Sequence, residues 1–247
     1  MTTAGGGSVP EAGPIAPSTV LRLALSAGAL ATVLCLVGLL VVDVLGPAGL
    51  TRWEDGVTES AVEGRAPTLD MLSAIGSRMA DTITCIAVLI VMMLVLRRWL
   101  GRWRESLVLA TAITGELLVF LAVTFVVQRD RPDVPRLDAA PPTSSFPSGH
   151  TAAAVAIYGG IAFVVWRRSR HRAWAGVVVA LCCAVPVVVG LSRIYRGMHH
   201  PTDVVVGAIG GGVWLLLVVW VLLPPRRRAD DAAPDGVDRL VPTEAAR

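Results

Sequence analysis

The sequence predicts an all-α, polytopic membrane protein built as a six-helix transmembrane bundle, and three observations lead there. Of 247 residues, 54% are hydrophobic and 17% charged, with a mean hydropathy of +0.65; an average soluble domain has about 45–50% apolar and about 25% charged residues. The apolar residues gather into runs that approach the roughly 20 residues needed to cross a hydrocarbon core. The arginines gather between those runs and supply all 22 cationic residues, because the chain has no lysine.

Taken in order, Met1–Ser18 is rich in Gly and Pro and reads as a disordered tail (residues 1–18). Leu23–Val42 is an uncharged first span, longer than the roughly 7–15 apolar residues of a signal peptide, and is read as retained. Leu50–Arg65 reads as a helix lying on the outer leaflet, with Trp53 as its interfacial anchor. Thr82–Leu96, between Asp81 and Arg97, is short, so its helix is expected to start earlier, somewhere after Thr68. Ser106–Val127 is interrupted only by Glu116, read as a protonated or Ser/Thr-bonded helix contact. Thr151–Trp166 is again short and needs an earlier start. Ala173–Ser192 carries Pro186, and Val204–Leu223 carries Gly210, Gly211 and Gly212, which permit close helix packing. The bundle thus occupies residues 19–224, and 225–247 form a polar, disordered cytoplasmic tail.

Arginine placement orients the bundle. Arg97, Arg98, Arg102 and Arg104 follow span two; Arg167, Arg168, Arg170 and Arg172 follow span four; Arg226, Arg227 and Arg228 follow span six. Positive loops stay in the cytoplasm. The expected location is the plasma membrane, with both termini cytoplasmic and the segments after spans one, three and five outside. The net charge of +3 comes from these clusters and does not suggest a nucleic-acid partner. Cys35, Cys85, Cys182 and Cys183 lie in apolar runs without metal spacing and read as packing residues.

The outer segments carry the chemistry. Gln128-Arg129-Asp130-Arg131-Pro132-Asp133 follows span three, Phe146-Pro147-Ser148-Gly149-His150-Thr151 opens span four, and Ser192-Arg193 through His199, His200 and Asp203 leads into span six. His, Arg and Asp collected at one mouth of a bundle suit phosphate chemistry, whose transition state spreads negative charge over equatorial oxygens and needs fixed cationic donors. Arg131 and Arg193 offer planar forks. Ser148 can cap a helix whose free amides at Gly149 and His150 bind anionic oxygens, and Gly149 lets that backbone approach closely. Two histidines can divide nucleophilic attack and protonation of the leaving alkoxide, and Asp203, four residues after His199, can reach back to orient it. His200 falls outside this scheme and reads as a loop or surface residue. Asp130 and Asp133 read as balancing Arg129 and Arg136.

These blocks resemble the type-2 phosphatidic acid phosphatases, membrane lipid phosphate phosphatases related to vanadium haloperoxidases. Their motifs are Lys-x6-Arg-Pro, Pro-Ser-Gly-His and Ser-Arg-x5-His-x3-Asp; this chain has Arg131-Pro132, Pro147-Ser148-Gly149-His150, and Ser192-Arg193 with His199 and Asp203 at the required spacing. The resemblance implies His199 as nucleophile through a phosphohistidine, His150 as general acid and then base, and Asp203 as the residue orienting His199. It implies Arg131, Ser148, Gly149 and Arg193 as phosphate ligands, with no metal and no cofactor. It further implies a lipid phosphate or diphosphate substrate at the outer leaflet, with a polyprenyl diphosphate of carrier-lipid recycling as the second reading. A non-catalytic lipid-binding or transport protein is the alternative of another class. The motif's Lys falls at Thr124. A helical face would align Thr124 with Gln128 and Arg131, and Arg129 is the other candidate for the missing charge.

Overall fold

The computed structural model describes residues 16–223. Most of both expected tails lies outside the described residues, although the first helix already begins at Pro17, inside the stretch read as a tail. All regular elements among the described residues are helical, and six are long and apolar enough to cross a membrane. Helix α1 (Pro17–Leu39) runs through π-helical turns (Leu40–Leu50) into α2 (Thr51–Glu63), the axis breaking at Gly49 with φ of 113°. Helix α3 (Pro67–Arg78) precedes α4 (Thr82–Leu100), and α5 (Arg104–Val126) follows. A long irregular segment leads to α6 (Gly149–Ala154), which continues through a π-turn (Val155–Gly159) into α7 (Gly160–Arg168) as one span. Helices α8 (Arg172–Tyr195) and α9 (Pro201–Leu222) complete the bundle.

The second span corrects the expected early start. Asp81 is extended and separates α3 from α4, so α4 gains its length at the other end, through Arg97 and Arg98 to Leu100. Arginines in a last turn complement the helix dipole, and their long stems let the charge reach the interface. Gly101, at φ 70°, then ends the helix in the left-handed region that a side chain disfavours.

Helix α5 is the central post and packs against α1, α4 and α9, burying Val108, Leu109, Ala112, Val119 and Val123. The bundle's outer faces carry exposed Ile83, Leu118, Phe125 and Trp220, as lipid-facing helices must. Glu116 is buried on α5, and its Oε1 has no hydrogen-bond partner among the described residues, so the expected Ser/Thr bond is not formed there.

Helix α9 meets the start of α6 at two glycines. A Cβ at Gly207 would lie 2.5 Å from the Ser148 carbonyl oxygen, and one at Gly211 would lie 2.6 Å from that of Ala152. Of the three glycines expected to permit close packing, Gly211 does so against backbone and Gly210 against the Leu34 side chain at 3.1 Å, while Gly212 has nothing nearer than 3.8 Å; Gly207 was not expected. Because the obstructing atom at Gly207 is backbone, Gly207→Ala must push α9 off the Pro147–His150 segment. The expected cost is about 1–3 kcal/mol, read as a lower melting temperature in detergent. Gly212→Ala, with open space, should melt like the parent; equal melting of both variants would contradict this contact.

Candidate active site

The mouth of the bundle is assembled from five segments. Helix α9 opens with Pro201 in its first turn and holds Asp203, whose carboxylate is fully buried. Its Oδ2 accepts from Ser145 Oγ at 2.5 Å and from the His200 amide at 2.9 Å, and its Oδ1 accepts from Arg129 Nη1 at 2.5 Å. The Asp203 carbonyl also accepts from the Ser148 amide at 2.9 Å, which ties the second motif to the third. His200, read from sequence as a loop or surface residue, is instead buried as the residue preceding α9, with its amide satisfied by Asp203.

His199 is buried, and its Nδ1 lies 2.7 Å from the Ser145 carbonyl oxygen. A carbonyl only accepts, so Nδ1 carries the proton and Nε2 keeps its lone pair in the neutral ring. Asp203 Oδ2 lies 3.8 Å from Nδ1, beyond hydrogen-bond range. The expected direct Asp203–His199 bond is thus replaced by Ser145, which grips Asp203 with its hydroxyl and His199 with its carbonyl. Asp203 remains close enough to stabilise positive charge on the ring. Burial holds His199 below its ordinary pKa, Arg193 and Arg131 act the same way, and Asp203 opposes them.

Arg131 donates from Nη1 to the Met198 carbonyl at 2.7 Å, beside His199, and its Nη2 leans toward the carbonyls of Thr143 and Ser144. No carboxylate neutralises it among the described residues. Burial lowers its pKa to about 10, with the like charges of Arg193 and Arg136 adding to the effect, so it stays cationic at neutral pH. Arg193 is buried and donates from Nη1 to Ser77 Oγ at 2.7 Å and to Asp138 Oδ2 at 3.0 Å. Arg196 takes the same Asp138, with Nη2 to Oδ1 at 2.6 Å and Nε to Oδ2 at 2.8 Å. The Arg196 bond, above all, holds Asp138 below the usual carboxylate range.

Ser148 does not cap α6 with its side chain; its Oγ pairs with Thr151 Oγ1 at 3.0 Å. The Gly149 and His150 amides still head the helix without intrahelical acceptors. A Cβ at Gly149 would lie 2.9 Å from the Phe120 ring, so packing against α5 requires this glycine. His150 Nε2 lies 3.0 Å from Asp81 Oδ1, the same Asp81 that lies between α3 and α4.

The first motif departs most from expectation. Helix α5 ends at Val126, so Thr124, Gln128 and Arg131 share no helical face. Thr124 is buried with an unpartnered Oγ1, and Gln128 turns back to the carbonyls of Thr124 and Phe125. Arg129, a candidate phosphate ligand by sequence, instead points into a buried network. It pairs with Glu54 of α2 and with Asp203, and donates to Thr202 Oγ1 at 2.8 Å. Glu54 is fully buried and also accepts from the Thr202 amide at 2.9 Å and its hydroxyl at 2.6 Å. Glu54 and Asp203, not Asp130, therefore balance Arg129. Helix α2 is no mere surface helix: Trp53 faces outward, while Glu54 and Thr58 face the protein. Sequence reading missed Glu54, Asp81, Asp138, Ser145 and Arg196; for Glu54, Asp81 and Asp138 a carboxylate in an outer segment was the only signal, for Arg196 a cation beside the third motif, and Ser145 had none. Among the described residues no cluster of three His, Cys, Asp or Glu side chains is placed to hold a metal ion.

A 250 Å³ cleft opens beside this machinery, lined by His150, Arg193, Arg196, Asp81, Asp138 and Arg78.

Comparison with known proteins agrees with this architecture. The chain is 31% identical over 150 residues to the putative undecaprenyl-diphosphatase YbjG of Escherichia coli (strain K12), covering 57% of this chain and 69% of that protein. It is 33% identical over 97 residues to phosphatidylglycerophosphatase B of Bacillus subtilis (strain 168), covering 38% of this chain and 45% of that protein, so it spans less than half the length of that relative. The fold matches the crystal structure of a transmembrane PAP2-type phosphatidylglycerolphosphate phosphatase from Bacillus subtilis, with a TM-score of 0.65 and 22% identity over 81% of this chain and 92% of that one. The PAP2 superfamily profile matches residues 105–227, which hold all three motif blocks. With six spans, those blocks at one mouth and a relative covered over most of its length, the chain is a multi-pass membrane protein of the PAP2 superfamily.

Proposed function

We propose that this protein is a lipid phosphate phosphatase that hydrolyses a terminal phosphate at the outer leaflet through a phosphohistidine. The observation that carries the reading is His199, whose Nδ1 is fixed by the Ser145 carbonyl so that Nε2 is free to attack. In the first step Nε2 forms a bond to phosphorus while the bond to the lipid oxygen breaks, and His150 gives that oxygen a proton. Arg131, Arg193 and the amides of Gly149 and His150 hold the equatorial oxygens as charge spreads onto them. In the second step His150 takes a proton from water, the water oxygen attacks phosphorus, and the P–N bond breaks to release phosphate. Each group in this sequence belongs to the chain, so the proposed route invokes no metal.

The test is phosphate release by the purified protein in detergent from phosphatidic acid, phosphatidylglycerol phosphate and a polyprenyl diphosphate, with and without excess EDTA. Release that persists in EDTA and is inhibited by vanadate, a mimic of the trigonal-bipyramidal transition state, is the expected result. Loss on chelation with recovery on adding Mg²⁺ or Zn²⁺ would sink the metal-free route. No release from any substrate would leave the non-catalytic lipid-binding or transport reading. The similarity to a putative undecaprenyl-diphosphatase favours the polyprenyl diphosphate as the second substrate reading.

The outer placement of the site rests on the arginine distribution and has its own test. After replacement of the native cysteines, a cysteine at exposed Ala140 should react with an impermeant maleimide in intact cells. A cysteine at exposed His171, on the opposite side, should not. The reverse pattern would move the site to the cytoplasm.

A further inference from the structure

We infer that Arg78 is a specificity-determining residue that binds a second phosphate, one that stays with the leaving group when the terminal phosphoryl group is transferred. The inference rests on the reading above and adds a substrate class to it: lipids in which a further phosphate lies beyond the scissile bond. It starts from which histidine faces the cleft. His150 lines it and His199 does not. With His199 as nucleophile and His150 as general acid, the cleft lies on the leaving-group side of phosphorus.

The charges lining the cleft then decide what suits it. Asp138 spans Arg193 and Arg196, and Asp81 takes His150. Arg78, in the last turn of α3, is exposed, and its side chain forms no hydrogen bond or ion pair among the described residues. It is the arginine of the cleft lining that makes no ion pair, and it sits at the C-terminal end of the helix that also supplies Ser77 to Arg193. A neutral diacylglycerol leaving group offers this guanidinium nothing. A leaving group that keeps a phosphate, either a lipid monophosphate released from a diphosphate or a phosphodiester headgroup released from its terminal phosphomonoester, offers oxygens to a planar fork. In each case the same bond breaks: the bridging oxygen leaves with the lipid fragment and its remaining phosphate, and takes the His150 proton.

The experiment compares kcat/KM for three substrates of matched chain length in mixed micelles: phosphatidic acid, a prenyl diphosphate and phosphatidylglycerol phosphate. In Arg78→Ala, kcat/KM should fall about tenfold for the substrates with a second phosphate, the size of one charge-assisted contact, and by less than about twofold for phosphatidic acid. Arg78→Lys, which keeps the charge and loses the fork, should recover part of that loss. A fall confined to the prenyl diphosphate or to phosphatidylglycerol phosphate identifies which source of second phosphate the cleft takes. The readout is a ratio between substrates, so a general loss of folded enzyme does not imitate it. An equal fall on all three, as a structural or headgroup-anchoring arginine would give, overturns the assignment, as does no change on any. If the parent protein releases phosphate from none of the three, the phosphatase reading itself fails; an active parent with unchanged selectivity in Arg78→Ala removes the Arg78 assignment alone.

Discussion

Alanine at His199 should abolish phosphate release on every substrate, because it removes the ring nitrogen assigned to form the phosphoenzyme bond. Alanine at His150 should behave differently: the fall should reach about 10²–10⁴-fold on lipid esters, whose alkoxide must be protonated, and shrink on an aryl phosphate, whose leaving group needs little help. Equal residual activity of the two variants on both substrate types would contradict this division of labour. The pH profile gives an independent check. Burial holds His199 below its ordinary value of about 6.5. The acid limb of kcat/KM that His199 controls should therefore lie below pH 6.5, where a solvent-exposed imidazole would already be protonated. The same shift links to stability. The unfolded chain binds a proton at its ordinary imidazole pKa while folded His199 stays neutral, so stability falls as pH drops below about 6.5 and stops falling at the folded pKa. His199→Ala should flatten that slope in acid melting curves. An unchanged slope would show that His199 titrates alike in both states.

How much of this was legible beforehand depended on the range of the interaction. A membrane span is a property of contiguous residues, since about 20 apolar positions in a row suffice, and six were readable even where their ends were not. The ends depended on single residues: α3 stops at Arg78, Asp81 is extended before α4 and bonds His150, and nothing in a hydropathy pattern reveals that partnership. The motif blocks singled out His150, Arg193, His199 and Asp203 because their spacing is local, and the bundle brings these four to one mouth. Extending a helical face from Thr124 to Arg131 failed because α5 ends at Val126, two residues before Gln128. The second layer was hidden for a different reason. Glu54 lies 75 positions from Arg129 in sequence, and Asp138 lies 55 from Arg193. Only closure of the bundle selects which outer carboxylate meets which arginine; with several of both signs in those segments, adjacency favoured Asp130 for Arg129, and tertiary packing chose Glu54 and Asp203 instead.

That choice sets the second large effect. Arg129 is nearly buried between two fully buried carboxylates, with side-chain exposures of 7% for the arginine and 0% for both Glu54 and Asp203. An exposed ion pair contributes little, but removing one member of a buried set leaves uncompensated charge and costs about 3–5 kcal/mol. Arg129→Gln should therefore lower the melting temperature in detergent by on the order of 10 °C, and it should also release the Asp203 carboxylate that faces His199. Glu54→Gln removes one carboxylate while its amide oxygen can still accept from Thr202, so the loss should be smaller. The decisive variant is the double one. If Glu54 and Arg129 act as a pair, Glu54→Gln added to Arg129→Gln removes a stranded buried carboxylate and should restore part of the lost stability, a coupling of about 1–3 kcal/mol. Strict additivity of the two single effects would mean that Glu54 and Arg129 are stabilised by separate neighbours. In that case α2 would not hold the first turn of α9 through this pair, and Asp203 would be positioned by Arg129, Ser145 and the His200 amide without help from Glu54.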